Sequence, residues 1–213
     1  MARITEKKKI IHEPKTYEIF LCLAAYPDYS KLLLENSPDK PYSGFLRWLL
    51  EVNYLKDNQE KITVKRLAAD FGSEPTKVTK WISLIYQDIL ELNNEKPELF
   101  QTDGIKVTLY FKYYDDSGFF NMTLPAMPRE YETFKFYFMK AELGIDYFWV
   151  KKVEHSIFDF ESEICIWLEG GFVNKYREFA FDKISFHEKI GVMAEYDLHR
   201  FEIDKIIKSW IRL

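Results

Sequence analysis

Glycine and proline are both scarce, 8 of each in 213 residues. That scarcity excludes collagen-like and low-complexity chains and leaves few places for the backbone to break. Cysteine is rarer still. Cys22 and Cys165 are far apart, and neither stands at metal-ligand spacing from a histidine. A structural zinc site is therefore not expected, and the two side chains read as reduced thiols of a cytoplasmic protein, with a disulfide the less favoured alternative. The longest apolar run, Ile19 to Tyr26, falls far short of the roughly 20 residues that span a bilayer, so no membrane partner is expected. The opening MARITEKKKIIHEP is basic but lacks the apolar segment of a secretory signal. GxSxG, GxGxxG, GxxxxGK[ST] and HExxH are all missing, and His12, His155, His187 and His199 are scattered. No cofactor, no metal and no enzymatic activity are expected.

What the chain has in quantity is aromatic residues, 17%, with 18 Phe and 14 Tyr, inside a hydrophobic content of 47%. That is enough for one sizeable core or two small ones. The formal net charge is −4, so the protein is not a polybasic nucleic-acid binder, and attraction to phosphate must come from local patches. One such patch is the first sixteen residues, where Arg3, Lys7, Lys8, Lys9 and Lys15 outweigh Glu6 and Glu13 by +3. It reads as a DNA-contacting arm or as a solvated terminus.

Periodicity predicts a helix over 16–26, closed by Pro27-Asp28, then a break at NSPDKPYSG. Ser43 is placed to cap a helix to about Lys56, with Phe45, Leu46, Trp48, Leu49, Val52 and Leu55 at three- and four-residue spacing. Thr63 is a good N-cap for Val64 to Phe71, Gly72 suits the left-handed residue that stops a helix, and Ser73 is the expected cap of a helix from Glu74 to about Leu92. Val78, Ile82, Ile85 and Ile89 form the buried stripe of that helix. From Gly104 the chain turns β-branched and aromatic. Two strands flank a turn at Asp115, Asp116, Ser117 and Gly118, and further strands are predicted over 133–140, 147–158 and 163–169. Residues 173–186 fit a helix or an edge strand. A last helix is predicted from Asp197 with Leu198, Phe201, Ile206, Trp210 and Ile211 on one side.

The stretch LAADFGSEPTKVTKW pairs small Ala68 with the turn at Gly72 and with Val78 reaching back to Leu67, Phe71 and Ile82. With the helix at 43–56 and the strands that follow, residues 43–124 resemble the helix-turn-helix superfamily in its winged form. Two positions depart from its pattern, Ser73 for an aliphatic residue and Trp81 for a smaller one. The resemblance implies a recognition helix from Glu74 presenting Thr76, Lys77, Thr79, Lys80 and Ser83 to base edges and phosphates, with Lys65 and Arg66 on the backbone. Across residues 63–86 the charges sum to +2.

Two other surfaces carry chemistry. Glu161 and Glu163, two apart, are able to share a strand face as metal-dependent nucleases require, although charged residues flanking a buried strand explain them as well. Tyr110, Phe111, Tyr113, Phe136, Tyr137, Phe138 and Trp149 match in composition a base-stacking surface, or simply a core. The expected fold is α+β: a helical, winged helix-turn-helix-like domain over 1–100, then a β-rich domain over 101–213. The latter is a small antiparallel sheet or half-open barrel with a C-terminal helix. The expected function is non-enzymatic binding of double-stranded DNA, as a transcription regulator or a replication or mobile-element accessory, with a homodimer or protein partner through the β-domain. The alternative is a protein-interaction module using the same surfaces.

Overall fold

A computed structural model describes residues 11–52, 62–159, 161–187, 190–191, 198 and 200–211. The chain divides into two units, Met1–Gly170 and Gly171–Leu213. The first begins with helices α1 (Thr16–Ala25), α2 (Pro27–Asn36), α3 (Ser43–Val52), α4 (Val64–Phe71) and α5 (Pro75–Glu95). Pro27 ends α1 as expected but also starts α2, which sequence reading missed. At the first helical position its absent N–H is an orphan anyway and its fixed φ already suits the helix. In α3 the side chains of Phe45, Leu46 and Leu49 are buried and Val52 is exposed. Leu55 and the expected helix end near Lys56 lie outside the described residues.

A short 3-10 turn, Pro97–Phe100, leads into the sheet: β1 (Ile105–Tyr113), β2 (Asp116–Leu124), β3 (Thr133–Lys135), β4 (Tyr147–Phe158) and β5 (Glu161–Gly170). The spatial order is β2-β1-β5-β4-β3, and the sheet curls into a half-barrel. It is mixed, not antiparallel. The hairpins β1–β2 and β4–β5 are antiparallel, but the chain returns so that β5 lies parallel to β1, with Thr108 opposite Cys165. The strand expected over 133–140 shrinks to β3. A 3-10 turn at Tyr137–Met139 and the one-turn helix α6 (Lys140–Leu143) replace its second half. Phe136, Phe138, Met139, Ala141 and Leu143 are all buried there, and adjacent residues cannot all face one side of a strand. The β1–β2 turn is Tyr114-Asp115, one residue earlier than expected, with Asp116 and Gly118 already inside β2. A Cβ at Gly118 would meet Met139 Cε at 2.7 Å, so a larger residue there displaces the end of that methionine.

One hydrophobic core runs from Ile19 to Leu168 and joins the helices to the inner sheet face formed by Val107, Leu109, Phe111, Phe120, Phe148, Val150 and Ile166. The boundary expected at 100/101 cuts through it: Phe100 packs its ring against Tyr29 at 5.3 Å and Phe120 at 5.5 Å. Asn93, 1% exposed near the end of α5, closes the free edge of β2. Its Nδ2 donates to Asn121 O at 2.8 Å and its Oδ1 accepts from Asn121 N at 2.8 Å. Asn93→Leu strands that backbone pair and is expected to cost about 2–3 kcal/mol, read from the midpoint of urea unfolding.

Cys22 is fully buried on α1 and its Sγ donates to Tyr137 O at 3.2 Å. Burial pushes its thiol up to about 12 from an ordinary 9.0. The fold therefore holds the neutral thiol, a contribution complete below about pH 9 and lost as pH rises toward 12. The stability gap between wild type and Cys22→Ala, measured by denaturant titration, should narrow across that window.

The second unit pairs α7 (Lys175–Phe186) with α8 (Arg200–Ile211) around Ala180, Ile184, Ile190, Ile203 and Ile207. This settles the open question over 173–186 in favour of helix. Asn174 caps α7 by accepting from Arg177 N at 3.2 Å. The line expected on the last helix is corrected. Ile203 and Ile207 are its buried positions, Leu198, Ile206 and Trp210 flank them, and Phe201 is 55% exposed. Asp197 and the side chain of Ile211 lie outside the described residues. Among the described residues no helix is long and apolar enough to cross a membrane.

Candidate nucleic-acid interface

The α4–α5 pair is built as its sequence spells it. Thr63, in extended conformation, accepts from Arg66 N at 3.3 Å and caps α4. Gly72 takes the left-handed conformation, φ 74°, and Ser73 N closes the turn onto Ala68 O at 2.8 Å. A Cβ at Gly72 would touch nothing, so backbone conformation alone calls for glycine there. The cap expected of Ser73 is not made. Glu74 is the N-cap residue, its side chain accepts no cap bond, and Pro75 is the first helical residue.

Leu67, Ala68, Val78 and Ile82 are each 1% exposed or less, so the crossing of the two helices is tight. Trp81 occupies the place of a smaller residue because an aromatic cluster surrounds it. Phe45 of α3 stacks on it at 5.7 Å, Phe71 of α4 meets it edge-on at 6.0 Å, and Phe71 touches Trp48 at 5.3 Å. Residues of three helices thereby meet in one aromatic cluster.

Of the expected contact residues, Lys65, Arg66, Thr76, Lys77 and Lys80 are exposed. Thr79 and Ser83 are half-buried, and the Ser83 hydroxyl donates back to the Thr79 backbone carbonyl at 3.3 Å. Lys77 Nζ lies 4.8 Å over the Trp81 ring, which orders its stem while the ammonium stays at the surface. Arg66 Nε lies 3.8 Å from Asp70 Oδ2, one turn along α4. The other end of α5 has the opposite sign. Asp88 accepts from the Tyr42 hydroxyl and pairs with Lys40 at 3.0 Å, with Glu91 and Glu95 further along the helix. The helix thus changes from basic to acidic along its length.

The hairpin that would serve as a wing is not free-standing, since β1 is an interior strand paired with both β2 and β5. Its tip carries Asp115 and Asp116, and Asp116 Oδ2 accepts from His12 N at 2.7 Å.

The remaining candidates divide. Phe111, Phe136 and Phe138 are core, and Trp149 is 1% exposed beneath the parallel ring of Tyr131. Tyr110 does reach the outer sheet face, in register with Phe119 and Trp167, a row that only the strand pairing reveals. Tyr110 and Trp167 stack on one another at 4.7 Å and 17°, so much of the ring area a base would need is already covered. Glu163 is exposed and accepts from Cys165 Sγ at 3.5 Å; the Glu161 side chain lies outside the described residues. Among the described residues no group of three His, Cys, Asp or Glu side chains is placed to hold a metal ion.

Compared with protein-family models, with curated proteins and with solved structures, the chain has no match.

Proposed function

We propose that this chain is a non-enzymatic, cytoplasmic protein that binds double-stranded DNA, as a transcription regulator or as an accessory of replication or of a mobile element. The first turns of α5 dock in the major groove, in the manner of the winged helix-turn-helix proteins that residues 43–124 resemble. The observation that carries this reading is the exposed set Lys65, Arg66, Thr76, Lys77 and Lys80. It is carried by two helices packed through a three-helix aromatic cluster, on a chain whose net charge is −4. A groove-facing helix needs its cations at the end that enters and tolerates acids at the end that leaves, which is the order found along α5. The acidic hairpin tip is repelled by phosphate, so contacts come from α4 and α5 rather than from the hairpin.

The test is fluorescence anisotropy of a mixed-sequence duplex across a salt series. Four cations at phosphates predict a slope of log affinity against log salt of about −3.5 per protomer. A folded protein that fails to bind at low salt sinks the reading and leaves these helices as scaffold.

A further inference from the structure

The exposed residues of α4 and α5 carry charge but little of the chemistry that tells one base pair from another. Readout in the major groove rests above all on side chains that make two parallel hydrogen bonds to one base: arginine to guanine, asparagine or glutamine to adenine. Residues 75–86, the first three turns of α5, contain none of the three. The first to appear is Gln87, roughly 18 Å along the axis from Pro75. It stands beside Asp88, where the acidic end of the helix begins. Thr76 offers a hydroxyl, which donates or accepts and therefore suits any base as well as a phosphate. The Ser83 hydroxyl proton is engaged at Thr79 O, 3.3 Å away.

The cations point the same way. Lysine carries a compact charge with three rotatable donors and lacks the fixed planar fork of arginine. Lys77 is moreover held along its own helix, with Nζ 4.8 Å over the ring of Trp81 one turn on. An ammonium placed there meets a phosphate passing beside the helix. A base edge on the groove floor calls for a side chain extended away from it. The only arginine on either helix is Arg66, on α4, and its Nε lies 3.8 Å from Asp70 Oδ2, so a carboxylate competes for the guanidinium. The hairpin adds no reader, since its tip carries Asp115 and Asp116.

We propose that the α4–α5 face binds duplex DNA through its phosphates, without preference for base sequence. This rests on the DNA-binding reading above and narrows it. A protein that takes any duplex fits an accessory of replication or of a mobile element. A regulator must instead separate its own site from the rest by about a thousandfold or more.

The test is fluorescence anisotropy of the full chain on duplexes of about two helical turns. One is alternating A·T, one alternating G·C, one an A-tract and one of mixed sequence. Affinities should agree within less than about tenfold at every salt concentration, and the salt slopes should coincide, because counterion release is the same for any B-form backbone. Extrapolated to about 1 M salt, where counterion release no longer contributes, affinity should all but vanish. Selection from a randomised duplex pool should enrich no motif. A preference of about tenfold or more, substantial affinity left at high salt, or an enriched motif overturns the proposal and leaves DNA binding itself standing. Failure to bind any of the duplexes at low salt overturns the DNA-binding reading, and this proposal with it.

Discussion

Reversing two charges, Lys77→Glu with Lys80→Glu, should lower duplex affinity at least about 100-fold at low salt and flatten the salt slope by about 2. Each lysine at a phosphate releases about 0.9 counterion, and each glutamate adds repulsion where attraction was. Both positions are exposed, so the fold should lose little beyond the Lys77–Trp81 contact, about 0.5–1 kcal/mol. The neutral pair Lys77→Gln/Lys80→Gln separates the two effects, losing slope without the added repulsion. A module that binds only proteins through these helices would show duplex affinity near zero and no ordered series among the three proteins. Anisotropy of all three over one salt range decides the matter.

Phe138→Ala should be the most damaging single truncation in the first unit, about 3–5 kcal/mol. Phe138 is 0% exposed. Its ring lies 4.9 Å from Tyr86 of α5, 5.3 Å from Tyr29 of α2, 5.5 Å from Phe120 of β2 and 5.8 Å from Tyr26. The helices and the sheet meet at this one side chain, and the backbone bond it receives, Tyr86 Oη to Phe138 O at 2.9 Å, cannot fill the hole. Stabilities run at about 5–15 kcal/mol, so the loss is a large share of the total. Because the core is continuous, far-UV circular dichroism and tryptophan fluorescence should report one coincident, lowered transition in urea. Separate transitions for helices and sheet would contradict a shared core.

Most of the helix pair was legible, Ser73 as a cap excepted: the cap at Thr63, the left-handed Gly72 and the buried line Val78, Ile82, Ile85 and Ile89 are local features with local causes. Strands β4 and β5 were legible for the same reason. What sequence could not supply was partnering. The parallel contact of β1 with β5 joins residues more than fifty positions apart, and no spacing rule reaches that far. The helical turn at Tyr137–Met139 hid behind aromatic residues that favour strands, because burial on all sides outweighed their preference. At the candidate interface Lys65, Arg66, Lys77 and Lys80 are exposed, as their place on the helix faces implied. Thr79 and Ser83 are half-buried, which helical spacing alone did not reveal.

The central strand β1 has a neighbour on each side, and they are made at very different times. β2 follows after a two-residue turn, whereas β5 is almost the last piece of the first unit to leave the ribosome. Until then one edge of β1, with its apolar inner face, has no partner within the chain already made. Closing so long a loop is slow, and open strand edges pair with whatever is near. The unit must therefore be completed as a whole: its helices do not make a separable first half, and a ribosome that stalls before Gly170 leaves a sticky strand rather than a smaller working protein.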